Sequence, residues 1–251
     1  MLRWAGAFGF DPVRFALTLK GVPSFLKDLH QYRRQATNGD APKLRDLYPF
    51  VDDRFRAAGI ASGHYFHQDL WAARQIYLRN PERHVDIGSR VDGFIAHLLV
   101  FRPVEVVDIR PPDNVCISGL TFIHEDATEL KSFADTELES ISSLHAAEHF
   151  GLGRYGDPIA PDACFKFMRS LARVLRPGGD LFFSMPCGRE RVEFNAHRIL
   201  SPFRILDIFG SAGLNLCEFH AVKADGNLWA NVSPADLANE EYGCGIFRFT
   251  K

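Results

Sequence analysis

Residues 165–186, FKFMRSLARVLRPGGDLFFSMP, constrain the fold more tightly than any other stretch of the chain. The first half spaces its apolar side chains as an amphipathic helix does. After Arg176-Pro177-Gly178-Gly179 the second half is almost wholly apolar up to Pro186. A strand without a polar side is buried on both faces, as in a parallel sheet covered by helices. The Pro-Gly-Gly stretch reverses the chain so that helix and strand pack on each other. The same alternation continues on either side. Short apolar runs at 84–87, 104–108, 120–124, 140–144, 179–185, 214–222 and 245–250 read as strands, and 93–101, 161–175 and 202–212 read as helices. This order predicts an α/β fold, a Rossmann-like doubly wound sheet of about seven strands. The last two strands, separated by residues 224–243 with no clear helix between them, are expected to pair antiparallel. Upstream, residues 64–80 have helical spacing and stop at Pro81. Before them lie short helix-like pieces separated by Gly21-Val22-Pro23 and by residues 38–42. The expected organisation is a helical N-terminal cap over 1–80 and a Rossmann-like domain over 81–251.

Basic and acidic residues nearly cancel, 29 against 31 in 251 residues, so no polybasic face is implied and nucleic acid is not an expected partner. Five scattered cysteines without a CxxC pair exclude a disulfide scaffold and a structural zinc site, and they suit a reducing cytoplasm. No run approaches the roughly 20 apolar residues that span a bilayer. The N-terminal stretch is interrupted by Asp11, Pro12, Arg14 and Lys20, and lacks the core of a signal peptide. Its phenylalanines and leucines give a face that either packs on its own domain, the commoner case, or meets a membrane surface.

In open α/β sheets ligands sit at the carboxyl ends of strands. The first such end is Asp86-Ile87-Gly88-Ser89-Arg90-Val91-Asp92-Gly93, where Gly88 permits a sharp turn and close approach to a ligand. Asp108 closes the second strand 20 residues after Gly88, an offset that suits hydrogen bonding to a ribose diol; the alternative is a strand-end turn former. Asp126, followed by Ala127, ends the third and can accept from an exocyclic amine or form an Asx turn. HAAEH (145–149) matches the H-x-x-E-H pattern of zinc peptidases. A strand runs directly into His145, however, and Gly151 and Gly153 break the segment, so the sustained helix of a metal site is absent and no metal is expected.

The succession VDIGS, an acid after the second strand, EDAT, SLHAAEH and LARVLRPGGDLFFSMP resembles class I S-adenosylmethionine-dependent methyltransferases over residues 82–222. VDGFIAHL and FNAHRILSP are similar to a little-characterised bacterial methyltransferase-like subgroup with links to surface-glycan pathways. The resemblance implies S-adenosylmethionine as cofactor. Asp86 and Gly88 would shape the methionine-side loop, Asp108 would hold the ribose, Asp126 and Ala127 would flank adenine, and His145 would line the site near the sulfonium. Where the family has acid-x-Gly-x-Gly-x-Gly, this chain has Arg90 and Asp92 at the last two glycines. Arg90 then either reaches a carboxylate of cofactor or substrate or pairs with Asp92. A dinucleotide loop needs those glycines to meet a pyrophosphate, which S-adenosylmethionine lacks.

The reading that follows is methyl transfer to a small-molecule or sugar acceptor, at oxygen. His149 or His197 would act as base, and Glu148 would orient His149. Tyr155, Arg189, Arg191, Asn195 and Arg198 are the candidate substrate contacts, the arginines as grips for a phosphate or carboxylate. A nitrogen acceptor and a non-catalytic cofactor-binding module in glycan assembly remain as alternatives.

Overall fold

The computed structural model describes residues 2–37, 39–113 and 116–251, and the chain divides into two compact units, Met1–Ile60 and Ala61–Lys251. The boundary falls before the helix at 64–79 rather than after it. That helix buries Trp71, Ala72, Ala73 and Ile76 within the second unit's core, so it belongs with the sheet.

The first unit contains α1 (Leu2–Ala7) and α2 (Pro12–Gln35). Asp11 caps α2 by accepting from the Val13 and Arg14 amides at 3.0 and 2.9 Å, and Pro12 occupies the first turn, where its missing N–H costs nothing. The helix runs unbroken through Gly21-Val22-Pro23, where the sequence suggests separate pieces. Pro23 deletes one helical hydrogen bond, while Gly21 lets the helix close onto Val51: a Cβ there would lie 2.2 Å from the Val51 carbonyl oxygen. Arg54 pairs with Asp28, and Asp52 with Arg14 and Arg56, which tie the following segment to the helix.

The second unit is built on an eight-stranded sheet in the order β3-β2-β1-β4-β5-β10-β8-β9. Its parallel half comprises β1 (Val85–Ile87), β2 (Val104–Asp108), β3 (Leu120–His124), β4 (Leu138–Leu144) and β5 (Leu175–Cys187). The other half, β8 (Asn215–Val222), β10 (Gly243–Thr250) and the short β9 (Leu228–Trp229), is joined antiparallel, as the missing crossover helix predicts. A small hairpin, β6 (Arg191–Glu193) with β7 (His197–Ile199), leaves the sheet after β5. The expected seven strands are all present, and the helices follow the sequence pattern. They are α3 (His64–Arg79), a π turn (Val91–Ile95) leading into α4 (Ala96–Leu99), α5 (Ala163–Val174), α6 (Pro202–Ser211) and the short α7 (Ala235–Ala238).

Period-two alternation divides the core. Phe183 and Phe247 point to the α5–α6 side, with Phe167, Leu171 and Phe209; their neighbours Phe182 and Ile246 point to the α3–α4 side, with Ile76, Ile95 and Leu98. Each such fully buried side chain contributes about 1.5–3 kcal/mol. The Pro-Gly-Gly stretch is not the turn expected from sequence. α5 ends at Val174 and the chain enters the sheet at once, Leu175 facing Leu138, whereas the next pair is Asp180 with Ser140. The intervening residues bulge outward, with Gly178 at φ +77°. Among the described residues, no helix is long and apolar enough to cross a membrane.

Candidate functional site

The carboxyl ends of β1 to β4 open into a cavity of about 640 Å³. Strand order reverses between β1 and β4, so this is the switch point where the fold leaves a crevice. One wall carries Gly88 and Arg90 after β1, Asp108 ending β2, Asp126 and Ala127 after β3, and His145, Glu148 and His149 after β4; facing them are His64, Tyr65, His197 and Tyr242.

A buried hydrogen-bond chain shapes the loop after β1. Asp86 is fully buried, and its carboxylate accepts from the Ser89 amide (3.0 Å), the Ser89 hydroxyl (2.7 Å) and the Ser142 hydroxyl (2.6 Å). Because Ser142 donates to Asp86, its oxygen accepts from His84 Nε2–H at 3.0 Å, which leaves His84 Nδ1 to accept from Ser140 at 2.8 Å. Ser89 Oγ in turn accepts from the Leu144 amide at 3.1 Å, locking the loop to β4. Burial pushes the Asp86 carboxyl up to about 6 against the pull of Ser142 and Ser89, and pushes His84 down to about 3. Gly88 turns at φ +71°, with Ala146 Cβ 3.0 Å from where a Cβ would stand. One glycine therefore makes the turn, and Asp86 holds it. Arg90 faces outward in a two-point pair with Asp92 (3.1 and 2.8 Å), its guanidinium 5.3 Å from the Tyr65 ring.

Asp108 accepts from the Arg110 amide at 2.6 Å, and Asp126 accepts from the Thr128 amide (2.9 Å) and hydroxyl (2.6 Å). Both are Asx turns, and both residues line the cavity. The two readings of each aspartate are thus compatible: the turn fixes a carboxylate at the cavity wall.

The fourth strand end supplies a histidine cluster. His145 sits at φ +53°, its Nδ1 2.6 Å from Glu148 Oε1, with its ring stacked on His64 at 5.1 Å. Glu148 is buried. Burial raises its pKa, but the neighbouring His145 and His149 outweigh this and hold it below the ordinary value. His149 Nδ1 lies 2.7 Å from the Ala196 carbonyl, so that nitrogen is the donor and Nε2 carries the lone pair, 3.7 Å from Glu148 Oε1. Burial, opposed by Glu148, pushes His149 below the usual imidazole value, and burial together with His145 drives His64 to about 4. Burial thus favours the neutral form of both rings. His197 lies across the cavity, 3.7 Å from Glu193 and 5.6 Å from the Tyr242 ring, and burial lowers it too.

Solved structures share the fold of this chain. NodS, an N-methyltransferase from Bradyrhizobium japonicum in complex with S-adenosyl-L-homocysteine, matches at 14% identity and TM-score 0.52, over 90% of this chain and 97% of its own. The [4+2]-cyclase SpnF matches at 15% and 0.52, over 77% and 88%. YcgJ from a Bacillus matches at 14% and 0.51, over 74% and 98%. The chain has the class I methyltransferase fold. Residues 115–223 also match a family described as "Caenorhabditis protein of unknown function, DUF268". No curated protein matches the sequence.

Seen on the methyltransferase fold, the candidate residues separate into two groups. Gly88, Arg90, Asp108, Asp126, Ala127, His145, Glu148, His149, Tyr155 and His197 are brought together around one cavity. Asp86 lies beneath its loop and shapes it without lining the cavity. Of the five substrate candidates only Tyr155 lines it, under the Arg110 guanidinium at 4.1 Å. The other four have structural duties. Arg189 pairs with Glu241; Arg191 is held by Glu193 and the Glu241 carbonyl; Asn195 turns the β6–β7 hairpin at φ +65°; and buried Arg198 donates to the Glu148, Phe150 and Pro161 carbonyls. Loop 151–158 is organised by Asp157, which accepts from the Gly151 and Tyr155 amides at 2.7 and 3.2 Å. His64 and Tyr242 escaped the sequence reading. Their only local signals are the GHYFH start of α3 and the EYGCG entry to β10.

Proposed function

We propose that this protein binds S-adenosylmethionine in the β1–β4 cavity and transfers its methyl group to a hydroxyl of a small molecule or sugar. The cavity volume lies within the ordinary range for a cofactor of that size. Its residues fit the group: Gly88 leaves backbone bare at the first turn, Asp108 offers a carboxylate for a ribose diol, and Asp126 with Ala127 offers an acceptor and a small wall for the base. The sulfonium supplies an activated methyl when bound.

The observation that carries the reading is the tautomer of His149. With Nδ1–H committed to the Ala196 carbonyl, Nε2 is free to take a proton from an acceptor hydroxyl, and Glu148 stands ready to stabilise the imidazolium. His145 holds Glu148 in place, and Tyr65, Tyr155 and Tyr242 wall the acceptor side. Alignment of acceptor and methyl supplies most of the rate, because displacement at a sulfonium needs little covalent help. Methyl-labelled S-adenosylmethionine incubated with a panel of hydroxylated acceptors, sugars first, tests the reading. Labelled product should form, and His149→Asn should reduce turnover by about 10²–10⁴-fold. Full activity in that variant would point instead to His197 or to a nitrogen acceptor that needs no base.

A further inference from the structure

Helix α2 exposes an unpartnered apolar stripe. Phe15, Leu19, Val22 and Leu26 are 54, 58, 38 and 56% exposed. Their spacing of four, three and four residues places them within an arc of about 60° on one face of the helix. The neighbouring face, through Gly21, packs on Val51 and is a separate surface. On the other flank Lys20, Lys27 and Arg34 recur every seven residues and form a basic row about 110° round from the stripe. Among the described residues neither Lys27 nor Arg34 has an ion-pair partner, and Lys20 lies 4.7 Å over the exposed ring of Phe55. The helix holds five basic residues and one acid, Asp28, which Arg54 already neutralises, in a chain whose net charge is −2. Just upstream Trp4, Phe8 and Phe10 are 72, 85 and 50% exposed.

We infer that this face docks on an anionic lipid bilayer, with the stripe and the upstream aromatics in the headgroup–acyl boundary and the basic row reaching the phosphates. Aromatic side chains favour that depth, and long basic side chains extend along apolar surface to place their charge in the polar layer. Charge selects the occupant. An antiparallel pairing of two copies through the stripe would set both basic rows side by side, whereas an anionic headgroup layer neutralises them.

Co-sedimentation of the full chain with vesicles tests this. Vesicles of phosphatidylcholine with about 30 mol% phosphatidylglycerol should bind at least about tenfold more protein than phosphatidylcholine alone, and the excess should vanish as salt rises to about 0.5 M. Phe15→Glu with Leu19→Glu should abolish binding, and Lys20→Gln with Lys27→Gln and Arg34→Gln should reduce it to the neutral-vesicle level. These side chains are exposed, so circular dichroism should show both variants folded. Equal binding to neutral and anionic vesicles, wild-type binding by either folded variant, or no binding at all would overturn the inference. Concentration-dependent dimerisation without vesicle binding would also overturn it and assign the stripe to a second copy.

Discussion

Gly88 occupies a position that only glycine fills without strain. Its φ of +71° lies in the left-handed region, and Ala146 crowds the place of a Cβ at 3.0 Å. Replacing Gly88 by alanine should cost about 1–2 kcal/mol of stability, measured by urea unfolding, and should weaken cofactor binding through the displaced loop. A variant as stable as the parent would show that the loop relaxes freely. The turn at Gly88 and the acids Asp108 and Asp126 were readable in the sequence, because each lies at or within two residues of the carboxyl end of a strand. The residues proposed as substrate contacts were not. Arg189, Arg191, Asn195 and Arg198 share one polar stretch, and all four are turned from the cavity by a hairpin whose direction is set by contacts with Glu241 and with the Phe150 and Pro161 carbonyls. His64 and Tyr242 reach the same cavity from opposite ends of the second unit, which no local pattern records.

At the scale of elements, β4 is the unusual strand, with Ser140, Ser142 and Ser143 buried in the middle of the sheet. His84 bonds Ser140 and Ser142, while Ser143 donates to the Ile87 carbonyl, and through Ser142 and Asp86 the loop after β1 is joined to the core. An imidazole held near 3 when folded and near 6.5 when unfolded binds protons more readily in the unfolded chain. Its contribution to stability is therefore complete above about pH 6.5 and is lost as pH falls toward 3. His84→Gln keeps a donor and an acceptor but does not titrate. Between pH 7 and 5 its unfolding free energy should fall by about 2 kcal/mol less than that of the wild type. Asp86 acts with the opposite sign, losing stability as pH rises from about 4 to about 6, but it is present in both proteins and cancels in the comparison. Identical pH slopes would contradict the assignment. Strands such as β5 and β10 were legible from their apolar runs, since burial leaves a continuous signal, whereas β4 interrupts its run with buried serines. The two misread elements, the bulge at Pro177-Gly178-Gly179 and the unbroken α2, depend on partners elsewhere in the chain: Leu138 and Ser140 in one case, the Val51 backbone in the other.

For the molecule as a whole, every cavity residue lies between His64 and Tyr242, inside the second compact unit. Residues 61–251 should therefore bind cofactor without the N-terminal unit, whose exposed face serves another purpose. The fold is shared with proteins of different chemistry, a methyltransferase and a cyclase among them, so fold alone does not settle function. Cofactor binding at Asp108 is the central claim, and calorimetric titration with S-adenosylhomocysteine tests it most directly. The full chain and residues 61–251 should both bind with a dissociation constant on the order of micromolar, and Asp108→Ala should bind at least about tenfold more weakly. Absence of binding by the folded full chain, or undiminished binding by Asp108→Ala, would contradict it.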